Sequence, residues 1–371
     1  MTTLFFCESS LNLGGQELQA LQQACILKKQ HFIPLILCRK HSKLHQAALE
    51  LGLDVQTIPF RNALDLISLW RLSRLVLRHK PAAVICHSGH DSNLCSLAIH
   101  FLGITGIHHP RPRLIRSKTY LAGTPNAWLY NRIFDHTLTP SQSLKNELCT
   151  SNPKINPERI SVLYPGIDSQ LLAQQARDPL PSTLSVALSK TLGPIVLHAA
   201  MLRSEKGHLF MLNVIKQLKA KFPDILYVAA GEGNIKPFLE SKIKEYGLEN
   251  NTLLAGRISP IAALMKRSHV VVMPSIYEPL GMSQLEALAL GVPVVVSEEG
   301  GLVETVKHGV SGWICPKPGQ SAANSSWVRA LTEVFENHTK AKSMALVGQQ
   351  DVLKRFDIRT NQISLLKYIL S

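Results

Sequence analysis

Residues 270–297 read VVVMPSIYEPLGMSQLEALALGVPVVVS, and this stretch decides the fold. Its two apolar runs, 270–273 and 293–296, predict buried strands, and residues 282–290 between them have the apolar spacing of a helix. A strand, a helix and a second strand in this order form the βαβ unit of an α/β domain, in which the two strands are parallel.

The same alternation continues along the chain on both sides of this unit. Further strands are predicted at 3–7, 32–38, 55–59, 82–86, 113–116, 137–139, 160–163, 195–198, 225–230 and 252–254. Further helices are predicted at 17–29, 64–79, 207–221, 236–246, 260–266 and 302–307, and the last fifty residues have a helical pattern. We therefore predict two parallel α/β domains in series, with ligand sites at the carboxyl ends of their strands.

The predicted domain boundary follows the segment Tyr164-Pro165-Gly166-Ile167-Asp168, because the stretch after it is polar and contains two prolines. We predict an N-terminal domain at 1–170, a linker at 171–190 and a C-terminal domain at 191–350. A C-terminal helix at 351–371 is expected to pack back on the first domain.

Composition limits the classes of partner and compartment. The 371 residues carry a net charge of +14, and residues 1–190 hold 20 Lys and Arg against 11 Asp and Glu, which favours acidic partners. Seven cysteines without a CxxC spacing argue against a disulfide framework and a zinc site. The apolar start ends at Glu8, and no apolar run reaches the ~18 residues of a membrane span, so we predict a cytoplasmic protein with at most peripheral membrane contact.

The strongest chemical signal is Glu278-Pro279-Leu280-Gly281-Met282-Ser283-Gln284-Leu285-Glu286. The turn and the start of the following helix offer free backbone N–H groups, which suit a diphosphate. The two glutamates are good acceptors for sugar hydroxyls. The alternatives are that Glu278 caps the helix and that Glu286 is a solvated helix residue.

Three weaker clusters follow other predicted strands. Paired glycines at Gly14-Gly15 and Gly231-Glu232-Gly233 would let backbone approach a ligand closely. His87 and Asp91 could position an acceptor hydroxyl or take its proton, although Asp91 also suits a helix cap. Arg203 and Lys206 could neutralise a diphosphate leaving group, or form an ordinary solvated turn.

Taken in order, these segments resemble the family-4 retaining glycosyltransferases of the GT-B fold, and among them bacterial enzymes that build lipopolysaccharide or other envelope glycans. The resemblance rests on these motifs: Gly14-Gly15, His87-Ser88-Gly89-His90-Asp91, Pro165-Gly166-Ile167-Asp168, Glu205-Lys206-Gly207, Gly231-Glu232-Gly233, Glu278 to Glu286, Gly291-Val292-Pro293-Val294-Val295 and Gly300-Gly301. It implies two Rossmann-like domains facing across a cleft. It also implies transfer of a sugar from a nucleotide-diphosphate donor, UDP-linked, with retention of anomeric configuration.

The resemblance also implies roles for single residues. Glu278 would hold the donor sugar, Glu286 the ribose and Lys206 the diphosphate. The remaining donor-site residues would line the sugar, the diphosphate or the nucleobase: Gly15, Arg257, Leu280, Gly281, Met282 and Ser283. Two departures stand out: Met201 occupies the place of a frequent arginine, for which Arg203 would substitute, and the stretch Arg116-Ser117-Lys118 lacks a frequent histidine.

Several alternatives to this function remain at the level of the sequence. No Asp-x-Asp motif occurs, so we expect no metal and no cofactor besides the nucleotide-sugar substrate. A nucleotide-sugar epimerase on the same scaffold and a catalytically inactive nucleotide-sugar-binding partner are the alternative functions. Only the positive net charge suggests binding of nucleic acid. The sequence has no zinc-finger spacing and no aromatic ribonucleoprotein motif, so nucleic acid is not a predicted partner.

A basic amphipathic pattern at residues 66–80 predicts peripheral binding to the cytoplasmic face of the inner membrane. Arg71, Arg74 and Arg78 recur at helical spacing, while Leu69, Trp70 and Leu77 lie elsewhere around the helix. A second basic cluster comprises His108, His109, Arg111 and Arg113 with Arg116 and Lys118. The alternatives are a helix that packs its apolar side on the sheet, and a phosphorylated acceptor for Arg116 and Lys118.

Overall fold

A computed structural model describes residues 1–104, 111–121 and 123–370, and the chain divides into two compact units. The first unit comprises residues 1–166 together with the last helix, and the second comprises Ile167–Asp357. Each unit has a parallel sheet between layers of helices, which confirms the predicted pair of Rossmann-like α/β domains.

The first unit contains a seven-stranded sheet in the order β3-β2-β1-β4-β5-β6-β7. Its elements are β1 (Thr3–Glu8), α1 (Gly15–Lys29), β2 (Ile33–Cys38), α2 (Lys43–Glu50), β3 (Asp54–Thr57), α3 (Leu66–His79), β4 (Ala83–Cys86), α4 (Gly89–Ile104), β5 (Arg113–Ser117), β6 (His136–Thr139), α5 (Gln142–Ser151) and β7 (Ile160–Val162). Strands β2 and β3 are added on one side of β1, and β4 to β7 are added on its other side, so the strand order reverses between β1 and β4. This reversal is the topological switch point at which such sheets bind ligands.

The second unit contains a six-stranded sheet in the order β10-β9-β8-β11-β12-β13, with its switch point between β8 and β11. Its elements are α6 (Ser169–Gln175), α7 (Ser182–Ser189), β8 (Ile195–Ala199), a 3-10 turn (Ser204–Lys206), α8 (His208–Leu218), β9 (Leu226–Ala230), α9 (Lys236–Glu245), β10 (Thr252–Gly256), α10 (Ala262–Arg267), β11 (Val270–Met273), α11 (Ser283–Ala289), β12 (Val294–Ser297), α12 (Leu302–Thr305), β13 (Trp313–Cys315), α13 (Ala323–Glu336) and α14 (His338–Arg355). Strands β11 and β12 are buried along their whole length, because helices cover both faces of a parallel sheet.

The predicted linker at 171–190 is wrong, since this stretch forms most of α6 and all of α7 within the second unit. Its few apolar residues explain the difference: Leu172, Leu184 and Leu188 are buried, and the polar residues form the outer faces of two short helices. The boundary between the units accordingly lies after Gly166 and not at residue 170.

The last helix, α15 (Ile358–Leu370), belongs to the first unit. Leu365 and Ile369 are buried in the same core as Leu4 and Leu27, on the face of the sheet that α1 covers. Gln23 of α1 donates a hydrogen bond to Asn361 at 3.3 Å, which ties the two helices together. The chain therefore passes to the second unit at Ile167 and returns to the first at Ile358.

Candidate donor and acceptor sites

The switch point of the second unit brings together two residues that the sequence predicts separately. Lys206 lies in the turn after β8, and Glu278 lies in the loop after β11, the neighbouring strand. The Nζ of Lys206 donates to Oε2 of Glu278 at 2.8 Å, and the two side chains are only 15% and 11% exposed. A largely buried ion pair at a ligand-binding edge is a candidate functional centre.

A second layer of hydrogen bonds holds Glu278 in place. The hydroxyl of the buried Ser275 donates to Glu278 Oε2 at 3.2 Å, and the hydroxyl of Ser297 contacts the Ser275 carbonyl at 2.6 Å. The backbone N–H of Gly301 donates to the carbonyl of Glu278 at 3.0 Å. The alternative that Glu278 caps the helix is wrong, because α11 begins at Ser283 with Met282 at its N-cap.

The turn before α11 is fixed by the buried Gln284. Its amide nitrogen lies 2.7 Å from the carbonyl oxygen of Leu280 and 2.8 Å from that of Gly281, and both carbonyls accept from it. Gly281 has φ +83, and a Cβ there would lie 2.4 Å from Gln284 Oε1, so the turn requires glycine at this position. The hydroxyl of Ser283 donates to the carbonyl of Ala199 at 2.6 Å and ties α11 to the end of β8.

Glu286 lies in the first turn of α11, eight residues after Glu278. It is partly buried, and burial raises the pKa of its carboxyl group to about 7. The alternative of a solvated helix residue holds only in part, because the side chain of Glu286 is partly buried. A carboxyl group with a pKa near neutral pH can change its protonation state when a ligand binds beside it.

The switch point of the first unit carries a polar network around Glu8, at the end of β1. Glu8 is buried, and it accepts hydrogen bonds from the backbone N–H of Ser10 at 2.8 Å, the amide of Gln16 and the hydroxyl of Ser88. The hydroxyl of Thr119, after β5, donates to the side-chain oxygen Oε1 of Gln16. The sequence analysis used Glu8 only as the end of an apolar run. An acidic residue at the end of a strand beside the switch point was the signal that could have found this network.

His87 follows β4 and lies at the same switch point. Its Nδ1 donates to the carbonyl of Cys7 at 3.0 Å, and its ring stacks on Phe6. Because a carbonyl can only accept, Nδ1 carries a proton, and Nε2 is the ring nitrogen left without this contact. This arrangement suits the predicted contact with an acceptor hydroxyl.

The structure shows Asp91 in a capping position, which was the alternative to its predicted catalytic role. Asp91 is fully buried in the first turn of α4 and accepts hydrogen bonds from the backbone N–H groups of Ser88 at 3.1 Å and Ser92 at 2.6 Å. Burial and the nearby Glu8 carboxylate raise its pKa. A carboxyl group enclosed by its own helix start has no open side toward an acceptor.

Comparison with known proteins bears on both units. Residues 13–171 match the family described as Glycosyltransferase Family 4, and residues 186–350 match the family described as Glycosyl transferases group 1. Each unit therefore matches a glycosyltransferase family model over most of its length, and the chain has the GT-B fold. An uncharacterized glycosyltransferase of Methanocaldococcus jannaschii is 31% identical over 195 residues, which are 50% of this chain and 48% of that protein. The chain spans about half the length of the curated relatives it matches.

Solved structures of glycosyltransferases resemble this chain over its whole length. Anabaena HepE in complex with UDP-glucose has a TM-score of 0.82 at 19% identity, with 99% of each chain covered. The lipopolysaccharide outer core galactosyltransferase WaaB has a TM-score of 0.69 at 16% identity, with 100% of this chain and 99% of that chain covered. At these identities the likeness establishes the fold.

The structure also places three other residues that were predicted to contact the donor, Arg203, Arg257 and Gly15. Arg203 is exposed and lies 3.9 Å from Glu205, so its guanidinium is free to reorient toward solvent. Arg257 follows β10 and lines a cavity of about 360 Å³ together with residues 178–181. Gly15 is the first residue of α1, and Gly14 before it has φ −114, so this glycine pair does not use the left-handed region.

The glycines of Gly231-Glu232-Gly233 are required by close contacts within the chain. A Cβ on Gly231 would lie 2.0 Å from the carbonyl oxygen of Ala200, and one on Gly233 would lie 2.1 Å from that of Leu202. The N–H of Leu202 donates to the Glu232 carbonyl at 2.9 Å. These glycines therefore let the loop after β9 support the loop after β8.

Three thiols form the one cluster with metal-ligand spacing among the described residues. The sulfur atoms of Cys7, Cys86 and Cys95 lie within 4.8 Å of one another, and all three residues are buried. Burial raises the pKa of Cys7 and Cys86, and the carboxylate of Asp91 adds to this effect. Metal binding requires deprotonated thiols, so this environment favours three neutral, packed side chains.

Proposed function

We propose that this glycosyltransferase transfers a sugar from a UDP-linked donor to a lipopolysaccharide or other envelope glycan, with retention of anomeric configuration. The observation that carries the proposal is the Lys206–Glu278 ion pair at the switch point of the second unit. The complex of HepE with UDP-glucose supports the donor class, and the resemblance to the lipopolysaccharide outer core galactosyltransferase WaaB supports the acceptor class.

The second unit has the chemistry that a sugar-diphosphate bond requires. The bond between the sugar carbon and the diphosphate oxygen breaks while the acceptor oxygen approaches on the same face. Lys206 and the backbone N–H groups around Gly281 stabilise the charge on the departing diphosphate. Glu278 accepts hydrogen bonds from donor-sugar hydroxyls, and Glu286 from the ribose. In the first unit, Nε2 of His87 accepts a hydrogen bond from the acceptor hydroxyl.

The test begins with a thermal-shift series on the purified protein with UDP-, GDP- and ADP-glucose at equal concentrations. A ligand that binds the folded state raises the melting temperature, and we expect the largest rise with a UDP-sugar. NMR of the product then reports the anomeric configuration. Isomerisation of the donor without an acceptor would establish the epimerase alternative, and no shift with any nucleotide sugar would remove the proposal.

The pKa of Glu286 gives a first prediction, on nucleoside binding. If Glu286 holds the ribose as a carboxylate, its ionised fraction rises from about a tenth at about pH 6 to about nine tenths at about pH 8. We therefore expect uridine affinity to rise about tenfold over this range, measured by calorimetry, with no such rise in Glu286→Gln. Uridine replaces UDP here because it has no phosphate that titrates in the same range. An unchanged pH profile in Glu286→Gln would assign the titration to another group.

We further propose that the protein binds the cytoplasmic face of the inner membrane through the start of α3. None of the described helices has the length and hydropathy needed to cross a bilayer. Leu72 and Val76 on one side of α3 are buried in the core, as the packing alternative requires. Yet Leu64, Leu66 and Trp70 are 78%, 75% and 57% exposed.

Basic residues surround this apolar surface. Arg71, Arg74 and Arg78 are exposed, and the guanidinium of Arg74 lies 4.8 Å over the ring of Trp70. Exposed apolar side chains beside arginines fit an anionic bilayer surface. The second predicted basic cluster contributes less, because Arg111 pairs with Asp135 at 2.8 Å and Arg116 lies over the ring of Tyr130. Residues 108–110 of that cluster lie outside the described residues.

Vesicle co-sedimentation tests the membrane proposal. We expect binding to vesicles containing anionic lipid, weaker binding at high salt, and on the order of 100-fold weaker binding when Arg71, Arg74 and Arg78 become Gln, at about 1 kcal/mol for each arginine. The matched control replaces three exposed lysines of the second unit, Lys236, Lys244 and Lys354, with Gln. Equal sedimentation with neutral and anionic vesicles, or equal effects of the two triple variants, would discard the proposal.

A further inference from the structure

A buried network of three aromatic side chains lies beneath the donor-site loop. His198 is on β8, Tyr227 is on the neighbouring β9, and His208 is the first residue of α8. The hydroxyl of Tyr227 lies 2.8 Å from Nδ1 of His198 and 3.0 Å from Nδ1 of His208. The two imidazole rings stack with their centroids 4.0 Å apart. The sequence analysis missed all three residues, because they are distant in the chain and each resembles an ordinary core position.

The contacts determine the direction of every hydrogen bond in the network. Nε2 of His208 lies 3.1 Å from the carbonyl oxygen of Met201, which can only accept, so Nε2 carries the proton. Burial lowers the pKa of His208 to about 4, so the ring is neutral and its Nδ1 accepts from the Tyr227 hydroxyl. The oxygen of Tyr227 then accepts from Nδ1 of His198.

The His208 imidazole thereby joins the two ends of the segment that follows β8. It binds the carbonyl of Met201, near the start of the segment that follows β8, while its own backbone begins α8 at the end of that segment. Between these two points lie Arg203 and Lys206. Gly207 has φ +76, and a Cβ there would lie 2.0 Å from the carbonyl oxygen of Pro274, so the segment is also pressed against the loop after β11. Lys206 is thus fixed on both sides.

We propose that His208 and Tyr227 are positioning residues that hold Lys206 where it contacts the diphosphate of the donor. Tyr227 acts through the tautomer of His208, because its hydroxyl occupies Nδ1 and leaves the Nε2 proton for the Met201 carbonyl. The inference rests on the proposed function, since it takes the diphosphate as the ligand of Lys206. It adds that diphosphate binding depends on two buried residues, His208 and Tyr227, that do not themselves contact the diphosphate.

The experiment compares Tyr227→Phe with Tyr246→Phe, which makes the same chemical change on the α9 side of the unit. We expect Tyr227→Phe to weaken UDP binding about tenfold and uridine binding less than about twofold, measured by calorimetry, since a net hydrogen bond is of this size. His208→Phe is expected to act in the same direction. His208→Gln, whose amide supplies one donor and one acceptor, is expected to recover part of the UDP affinity.

Amide hydrogen exchange of residues 201–207 supplies a readout that does not need a nucleotide. We expect this segment to exchange faster in Tyr227→Phe than in Tyr246→Phe, while peptides from the rest of the protein exchange at equal rates in the two variants. Equal loss of UDP and uridine affinity, or unchanged exchange in this segment, would assign the network to ordinary packing. Failure of the wild-type protein to bind UDP would instead remove the proposed function, and the exchange result would still decide the positioning role.

Discussion

Glu278→Ala is expected to lose sugar transfer altogether while the protein stays folded. The carboxylate is held by Lys206 and Ser275 at the switch point of the second unit, where the donor sugar is proposed to lie. Alanine removes the acceptor for the sugar hydroxyls and also the partner of a mostly buried ammonium group. Transfer is measured with the UDP-sugar that gives the largest thermal shift, and folding is measured by the melting temperature without ligand.

A second substitution at Glu278 and a control at another ion pair separate the effect of charge from the effect on folding. Glu278→Gln keeps the size of the side chain and an acceptor for Ser275, but it does not neutralise Lys206, so we expect it to be folded and inactive. Glu333→Ala is the matched control, because Glu333 also pairs with a lysine, Lys340, at 2.7 Å, on a helix beside the edge strand β13. A folded Glu278→Ala protein with turnover near that of Glu333→Ala would falsify the role of Glu278.

Periodicity in the sequence predicted the strands of both sheets but not their order. The strand predicted at 270–273 is the strand that the structure contains, β11, and most other predicted boundaries are within one or two residues. The exception is the edge strand β13, which was missed, although β7 is equally short and was predicted. The stretch around α6 and α7 was misjudged, since one or two buried leucines in each short helix do not outweigh polar neighbours and prolines.

The candidate sites show the same limit. Lys206 and Glu278 were each predicted, but their ion pair depends on β8 lying next to β11, and that neighbourhood is a property of the sheet order. Catalysis and capping both remained open for Asp91, because the sequence cannot show whether a carboxyl group at a helix start faces outward or is enclosed by its own backbone. Tyr227 had no signal of its own, since its hydroxyl gains a partner only when β9 and α8 pack together.

Lys206→Ala is expected to weaken UDP binding much more than uridine binding. A hydrogen bond to a charged group contributes about 1.5–3 kcal/mol, so the dissociation constant of UDP should rise by a factor of about 10–150, while that of uridine should change little. The loss has two physical sources. One is the missing contact with the diphosphate, and the other is the Glu278 carboxylate, which is left without its partner beside an anionic ligand.

A double variant distinguishes these two sources. If repulsion from an unpaired Glu278 contributes, Lys206→Ala with Glu278→Gln should bind UDP more tightly than Lys206→Ala alone. Measuring Glu278→Gln alone completes the double-mutant cycle and gives the coupling energy between the two positions. Lys340→Ala serves as the control, since it removes an ion-paired lysine from the outer side of the same unit. Equal losses of UDP and uridine affinity in Lys206→Ala would place its ammonium away from the diphosphate. In that event the Lys206–Glu278 pair would be a structural ion pair, and the donor site would have to be sought at another part of the sheet edge.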